Sequence, residues 1–127
     1  MGERTLISSG SPFEPRVGFS RAVRVGGRVL VSGTAPVWPD GSCDPSAGAQ
    51  AARCFEIILA ALAEAGASPE QVVRTRMYIT DVADADSVGA EHGRVFGGVR
   101  PASTMVVVAG LLDARWKVEI EAEAELG

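Results

Sequence analysis

The stretch that decides the fold is KVEIEAEAE, residues 117–125. Apolar and acidic residues alternate along it without interruption. One face carries Val118, Ile120, Ala122 and Ala124, and the other carries Glu119, Glu121, Glu123 and Glu125. A period of two is typical of a β-strand that buries one face and exposes the other to solvent. The stretch therefore predicts a strand whose apolar side lies on a core.

Further strands are predicted upstream. Residues 72–80 place Val73, Thr75, Met77 and Ile79 on one side and Arg74, Arg76 and Tyr78 on the other. Residues 104–109 contain the apolar run 105–108, which is typical of a strand buried on both faces. Nearer the N-terminus, residues 5–7, 22–25 and 29–31 predict short strands, and Gly26-Gly27 predicts a hairpin between the last two.

Two segments have the 3.6-residue period of a helix. The first is predicted to begin at Asp44-Pro45, with Asp44 as its N-cap, and to end at Gly66. Its buried face is predicted to hold Ala51, Phe55, Ile58, Leu62 and Ala65. The second runs over 84–96, with Val88, His92, Val95 and Phe96 on its apolar side. Its interior glycines, Gly89 and Gly93, weaken it by roughly 1 kcal/mol each, which favours a close approach to a strand.

The predicted order is β, β, β, α, β, α, β, β within 127 residues, the usual length of one domain. We expect a single two-layer α+β domain over residues 1–127, with about six strands and both helices on one face of the sheet. The other face would expose apolar area among arginine and tyrosine side chains. This predicts an oligomer.

Composition argues against several classes of protein. The net charge is -4 with no cluster of Lys and Arg, so nucleic-acid binding is not expected. No apolar run approaches roughly 20 residues and the first ten residues lack a signal-peptide core, so we expect a cytoplasmic protein without a membrane partner. Cys43 and Cys54 lack metal-ligand spacing and His92 is the only histidine, so neither a metal site nor a disulfide is expected.

Five segments together carry a family resemblance: GFSRAV at 18–23, VSGTAP at 31–36, YITD at 78–81, RPAST at 100–104 and VEIEA at 118–122. In this order and spacing the chain resembles the reactive-intermediate deaminase family (Rid, or YjgF-like, also labelled L-PSP endoribonuclease) from Phe13 onward. Each segment alone would be a weak signal.

The resemblance implies a chorismate-mutase-like (YjgF-like) fold with a mixed sheet. Three such chains would join through their sheets into a barrel-like homotrimer, with clefts for a small-molecule ligand between neighbouring chains. Active members hydrolyse reactive imines and enamines to 2-oxo acids and ammonia, and they need no metal or organic cofactor.

The resemblance also implies site residues. Glu119 matches the carboxylate that handles water and Ser32 matches a substrate-contacting serine, so both are predicted to be catalytic, with Gly33 beside them in the substrate site. Phe19 stands where tyrosine is usual and lines the same site. Four alternating glutamates are, by themselves, more typical of a solvated strand face.

One departure from the family pattern bears on the substrate. Ser103 stands where active members have the arginine that binds the substrate carboxylate, and that loss removes an interaction worth roughly 1.5–3 kcal/mol. Ordinary 2-imino acids are therefore predicted to be poor ligands. Arg21, Arg24 or Arg100 could replace the missing arginine, and Arg21 is preferred because it lies two residues after Phe19.

Two other positions complete the comparison. Gly89 stands where the family often has asparagine, so the predicted lining is less polar than usual. His92, on the apolar side of a helix, is more typical of a packing histidine than of a base.

We therefore predict hydrolysis of a small imine, enamine or related intermediate whose structure need not include the usual carboxylate. The alternative is a non-catalytic trimer that binds a small molecule and has lost the chemistry. RNA cleavage, which the family label suggests, is disfavoured by the acidic composition and the lack of a basic aromatic track.

Overall fold

The structure is a computed structural model that describes residues 3–127. Within that range the chain forms six strands: β1 (Arg4–Ile7), β2 (Ala22–Val25), β3 (Arg28–Thr34), β4 (Val72–Ile79), β5 (Ala102–Val107) and β6 (Val118–Glu125). Its α-helices there are α1 (Phe13–Val17), α2 (Ala47–Glu64) and α3 (Ala85–Phe96). Short 3₁₀ turns at Pro69–Gln71 and Val82–Asp84 lead into β4 and α3. Among the helices of these residues, none combines the length and apolar character that a membrane span requires.

The strands form one mixed sheet in the order β1-β2-β3-β6-β4-β5. Strands β4 and β5 pair in parallel, and all other neighbours pair antiparallel. Parallel neighbours need a crossover, which α3 supplies between β4 and β5. The hairpin predicted at Gly26-Gly27 is confirmed, since β2 and β3 pair from Val25 and Arg28 outward.

The core lies between the sheet and the two long helices. The apolar face of β6 is fully covered, as predicted: Val118, Ile120, Ala122 and Ala124 are all buried. Helix α2 packs over β6 and β3 and buries the predicted set, Ala51, Phe55, Ile58, Leu62 and Ala65. Helix α3 packs beside α2 and buries Val88 and Phe96. The other face of the sheet is left without a covering layer within residues 3–127, which yields the predicted two-layer α+β architecture.

Several predicted boundaries were wrong. Helix α2 begins at Ala47, because Ser46 and not Asp44 is the N-cap: the Ser46 side chain accepts a hydrogen bond from the Ala49 N–H at 3.2 Å. Asp44 instead accepts from the Ser46 N–H at 2.9 Å. The short helix α1 was not predicted, since five residues are too few to establish a helical period.

Strands β4 and β5 also depart from prediction. A bulge in β4 turns Val73 outward and buries Val72 instead, because Val72 and Arg74 pair with the adjacent residues Ala124 and Glu123. Strand β5 is an edge strand, so the predicted burial on both faces is wrong for this chain. Val106 and Val107 point to opposite faces and both are exposed.

The glycines of α3 do not mark a close approach to a strand. A Cβ built on Gly89 or Gly93 meets no atom within 4 Å in the part of the chain that the structure describes, so the predicted reason for these glycines was wrong. The helix is held by its apolar residues and by the contact of His92 with Thr75. Val88 is the clearest of them, with 0% of its surface exposed.

Val88→Ala is expected to lower the free energy of unfolding by roughly 2–3 kcal/mol, because it removes two buried methyl groups and leaves a cavity. The matched control is Val82→Ala, six residues away, where the side chain is 71% exposed. It should change stability by less than about 0.5 kcal/mol. Urea denaturation at equal protein concentration checks both variants, and equal losses would show that α3 does not depend on Val88.

Candidate functional site

The candidate site lies where β3 leaves its regular pairing with β6. Val31 pairs with Ala122 and Thr34 pairs with Ile120, so three steps along β3 match two along β6. The extra residue makes a β-bulge at Ser32-Gly33, two residues that the resemblance assigns to the substrate site. Bulges often re-aim side chains beside active sites.

Side chains hold the backbone of this bulge. The Ser32 carbonyl accepts from the Thr34 hydroxyl at 2.8 Å, and the Gly33 carbonyl accepts from Nη2 of Arg21 at 2.6 Å. The Thr34 carbonyl accepts from the Cys54 thiol at 3.2 Å. Three consecutive carbonyls that regular pairing would have satisfied are thus each bonded to a side chain.

Gly33 makes room for Glu119. A Cβ at position 33 would lie 2.5 Å from Oε2 of Glu119, closer than atoms tolerate. A side chain at position 33 would therefore push the carboxylate away from the bulge. Burial raises the pKa of Glu119, the positive charge of Arg21 opposes that rise, and Glu121 adds to it.

The charges of two carboxylates act on Arg21. Burial lowers the pKa of its guanidinium, and the charges of Glu14 and Glu119 oppose that change. Its Nε atom is buried and, among residues 3–127, has no hydrogen-bond partner. Because Nη2 is bonded to Gly33, the guanidinium supports the bulge and lies beside Glu119 at the same time.

Glu14, whose charge acts on Arg21, is a residue that sequence reasoning missed. It is buried in α1 and accepts hydrogen bonds from the Ser8 hydroxyl at 2.9 Å and from both the amide and the hydroxyl of Ser9. Burial alone would raise the pKa of Glu14, but the bonds from Ser9 and Ser8 outweigh it and lower the pKa. Glu14 is thus held as a carboxylate.

Ser32 and Phe19 lie at the same end of the sheet. The Ser32 hydroxyl donates to the Ser20 carbonyl at 2.6 Å, so its lone pairs remain available to accept a hydrogen bond from a ligand. Phe19 is partly exposed and lies one residue before Ser20. The structure therefore brings Arg21, Ser32, Gly33 and Glu119 into one region, and Phe19 precedes Ser20 next to it in the chain.

A polar network covers the open face next to this region. The Tyr78 hydroxyl donates to Glu121 at 2.5 Å, and Arg76 pairs with Glu121 and Glu123 at 3.5 and 3.3 Å. The bond to Glu121 raises the pKa of Tyr78. A depression of about 230 Å³ lies over this network and is lined by Val23, Leu30, Val31, Ser32, Arg76, Glu121, Ala122 and Glu123. It shares Ser32 with the bulge.

Ser103 lies elsewhere in the chain. It pairs with Thr75 on the helix-covered face of the sheet, where the two hydroxyls are 2.8 Å apart and the Thr75 hydroxyl is also 2.7 Å from Nε2 of His92. Within one chain, Ser103 therefore does not join Glu119 and Ser32. Its predicted place in the same substrate site would require a neighbouring copy.

The other two arginines considered as replacements have different surroundings. Arg24 donates to the carbonyls of Gly26 at 3.0 Å and Ala65 at 2.7 Å, so it ties the first hairpin to the end of α2. Arg100 is exposed and has a positive φ of 59°.

No group of three or more His, Cys, Asp or Glu side chains within residues 3–127 is arranged to hold a metal ion.

Comparison with known proteins identifies the family. The sequence model described as Endoribonuclease L-PSP matches residues 10–126. The chain belongs to this family. Rv2704 of Mycobacterium tuberculosis, a member of the YjgF/YER057c/UK114 family, has a crystal structure that matches with a TM-score of 0.89 and 44% identity, covering 97% of this chain and 99% of that one.

Two further relatives widen the comparison. An uncharacterized protein of Streptomyces coelicolor is 41% identical over 124 residues, which cover 95% of this chain and 91% of that protein. The structure of E. coli TdcF with bound serine matches with a TM-score of 0.82 and 26% identity, covering 96% and 94%. Membership of the L-PSP/YjgF family supports a role in processing or binding small molecules.

The raised pKa of Glu119 predicts how stability changes with pH. The folded protein holds the Glu119 proton more tightly than the unfolded chain does, so the free energy of unfolding falls as pH rises above the ordinary value of 4.5. Glu119→Gln removes this dependence. Its stability relative to the wild type should therefore increase with pH, and the difference should be smallest below about pH 4.

Urea denaturation between about pH 4 and pH 8 measures this effect. The control is Glu125→Gln on the same strand and face, where the exposed carboxylate pairs with Arg28 at 3.0 Å. Glu125→Gln should keep the part of the pH dependence of unfolding free energy that Glu119 causes, because Glu119 is still present. Parallel stability curves for Glu119→Gln and the wild type would show that Glu119 titrates as an ordinary surface carboxyl.

Proposed function

We propose that this chain hydrolyses a small reactive imine or enamine, or a closely related intermediate, at the Glu119 bulge. Glu119 positions a water molecule and exchanges a proton with it, Ser32 accepts a hydrogen bond from the substrate, and Phe19 forms an apolar wall. The proposal rests on one observation: the Glu119 carboxylate lies against Gly33, where burial raises its pKa.

A general acid–base group works best when its pKa lies near the working pH. Burial raises the pKa of Glu119 and so brings it closer to neutral pH. Glu125 on the same face is exposed and ion-paired. Attack of water on a C=N bond removes a proton from the water and delivers one to the nitrogen. A carboxyl that is easily protonated can do both in turn.

Ser32 supports recognition of the nitrogen. Its proton is already committed to the Ser20 carbonyl, so it offers a ligand an acceptor and not a donor. A protonated imine, an enamine or an amine has N–H groups that suit this acceptor. TdcF, a relative of this chain, binds serine, and this supports a ligand of similar size here.

The charges near the site favour a substrate without the usual carboxylate. Ser103 replaces the arginine that the family resemblance leads one to expect, while Arg21 is bonded to the Gly33 carbonyl and experiences the negative charges of Glu14 and Glu119. A guanidinium whose positive charge is already partly offset by two carboxylates attracts a third anion more weakly. We therefore expect neutral or cationic imines to be preferred over 2-imino acids.

The proposal includes a homotrimer formed through the open sheet face. That face exposes apolar side chains among its ion pairs, including Leu6, Val25, Leu30 and Val106. Apolar area spread over an uncovered sheet is typical of a surface that meets a partner. A neighbouring copy would also bring a second set of side chains to the cleft.

Leu30→Lys is expected to break the trimer, because it would place a charge in the buried interface. Light scattering coupled to size exclusion should give three times the 13.2 kDa chain mass for the wild type and a smaller mass for the variant. The control is Leu112→Lys, since Leu112 is 97% exposed, and it should stay trimeric. A monomeric wild type at working concentrations would exclude the intersubunit cleft.

The activity test compares two freshly generated imines, 2-iminopropionate and a neutral imine without a carboxylate, and follows their decay and the release of ammonia. Glu119→Gln should slow the preferred reaction by roughly 10²–10⁴-fold, the usual contribution of a general acid–base group. Glu125→Gln is the matched control on the same strand and should retain the wild-type rate.

Each outcome has a separate meaning. Faster turnover of 2-iminopropionate than of the neutral imine would overturn the substrate preference while leaving Glu119 in place. Ligand binding in a thermal-shift assay without turnover, unchanged by Glu119→Gln, would favour the alternative of a binding protein that has lost the chemistry.

A further inference from the structure

A second cluster of polar groups lies on the face of the sheet opposite Glu119. It consists of Ser103 on β5, Thr75 on β4 and His92 on α3. The Thr75 hydroxyl is 2.8 Å from the Ser103 hydroxyl and 2.7 Å from Nε2 of His92. Thr75 is fully buried, Ser103 is exposed and His92 is half-buried. The cluster therefore links a surface hydroxyl to an imidazole through a buried one.

The hydrogen count restricts how these groups are bonded. A threonine hydroxyl has one proton, so Thr75 donates to one neighbour and accepts from the other. In one arrangement His92 donates to Thr75 and Thr75 donates to Ser103. In the other, Ser103 donates to Thr75 and Thr75 donates to an unprotonated Nε2. The second arrangement leaves the Ser103 lone pairs facing outward, with a base at the far end of the chain of bonds.

The surroundings of His92 favour a neutral imidazole. Its ring packs against Phe55 and Phe96, with centroids 5.8 and 5.0 Å apart. Burial among these groups lowers the pKa of His92, which favours the neutral ring near neutral pH, and the tautomer with its proton on Nδ1 leaves Nε2 as the acceptor. The aromatic rings also hold the imidazole toward Thr75.

We propose that Ser103, Thr75 and His92 form a proton relay that makes Ser103 a nucleophile toward activated acyl compounds. Ser103 Oγ attacks the carbonyl carbon and forms a C–O bond, while the leaving group departs as an anion with the electron pair of the broken bond. The Ser103 proton passes to Thr75, and the Thr75 proton passes to Nε2 of His92. The products are an acylated Ser103, the free anion and an imidazolium.

The backbone of the edge strand supplies a donor for the oxyanion. Backbone N–H groups alternate in direction along a strand, and the Val108 N–H donates to Ile79 on β4 at 2.8 Å. By that alternation the N–H of Ser103 points away from β4 at the sheet edge. A backbone N–H beside the attacking oxygen stabilises the charge that develops on the carbonyl oxygen.

The burial of Thr75 limits the substrate class. The proton on His92 lies on the far side of Thr75 from Ser103, and the Ser103 oxygen that could return it is now acylated, so the proton does not reach a departing alcohol or amine. The site therefore takes acyl compounds whose leaving group needs no proton, such as acyl phosphates, thioesters or activated esters. It uses neither Glu119, Ser32 nor Phe19, which carry the proposed imine hydrolysis, so the failure of one proposal leaves the other intact.

The test uses p-nitrophenyl acetate as the probe, follows nitrophenolate release, and locates the acetyl group by peptide mass spectrometry. Wild-type protein should be acetylated at Ser103. Thr75→Val removes the linking hydroxyl while keeping the shape, and it should slow acetylation of Ser103 at least about tenfold. Thr75→Ser restores the hydroxyl and should recover most of the rate. Ser87→Ala, on α3 with its hydroxyl bonded to Asp84, should have no effect.

A second measurement does not depend on rates. His92 is the only histidine, so its imidazole resonances are unambiguous by NMR. They should shift when Ser103 is acetylated in the wild type, and they should stay in place when the Thr75→Val variant is treated in the same way. Absence of acetyl on wild-type Ser103, or equal Ser103 rates in Thr75→Val and Thr75→Ser, would overturn the relay.

Discussion

The structure depends on the burial of one side of β6 beneath α2. Strand β6 lies between β3 and β4 near the middle of the sheet, and its inner residues are all small or branched apolar side chains. A slip of one residue would exchange the two faces and bury glutamates in the core. The register of the whole sheet is therefore fixed, and with it the face on which the acidic side chains lie.

Within that fixed register, irregular pairing distinguishes one glutamate from the others. Glu119 and Glu125 share a strand and a face, yet one is drawn against a glycine and the other pairs with Arg28 in solvent. The bulge at Ser32-Gly33 causes the difference, and Arg21 supports it from one side. The chemical difference between Glu119 and Glu125 therefore comes from the backbone geometry next to each carboxylate and not from the residue type.

The sequence predicted the regular parts of the fold well. Alternation along β6 and the helical period of α2 are local consequences of burial, so both buried faces could be assigned in advance. The bulge that exposes Val73 and the edge position of β5 depend on pairing partners distant in sequence, which no local period records. Glu14 escaped notice for the same reason, because its role depends on contacts across a loop. The position of Ser103 relative to His92 followed only from the parallel register of β4 and β5.

The two interior glycines of α3 have a consequence for motion. Open space surrounds the place where each Cβ would lie in the described chain, so alanine would fit at both and strengthen the helix. The chain thus retains a helix of weak intrinsic propensity that contacts β4 through His92. Weak helix propensity lowers the cost of local opening, which the burial of Val88 and Phe96 opposes. If α3 opens locally while the sheet stays folded, His92 moves away from Thr75. The Thr75–Ser103 hydroxyl pair then has no base until the helix packs again.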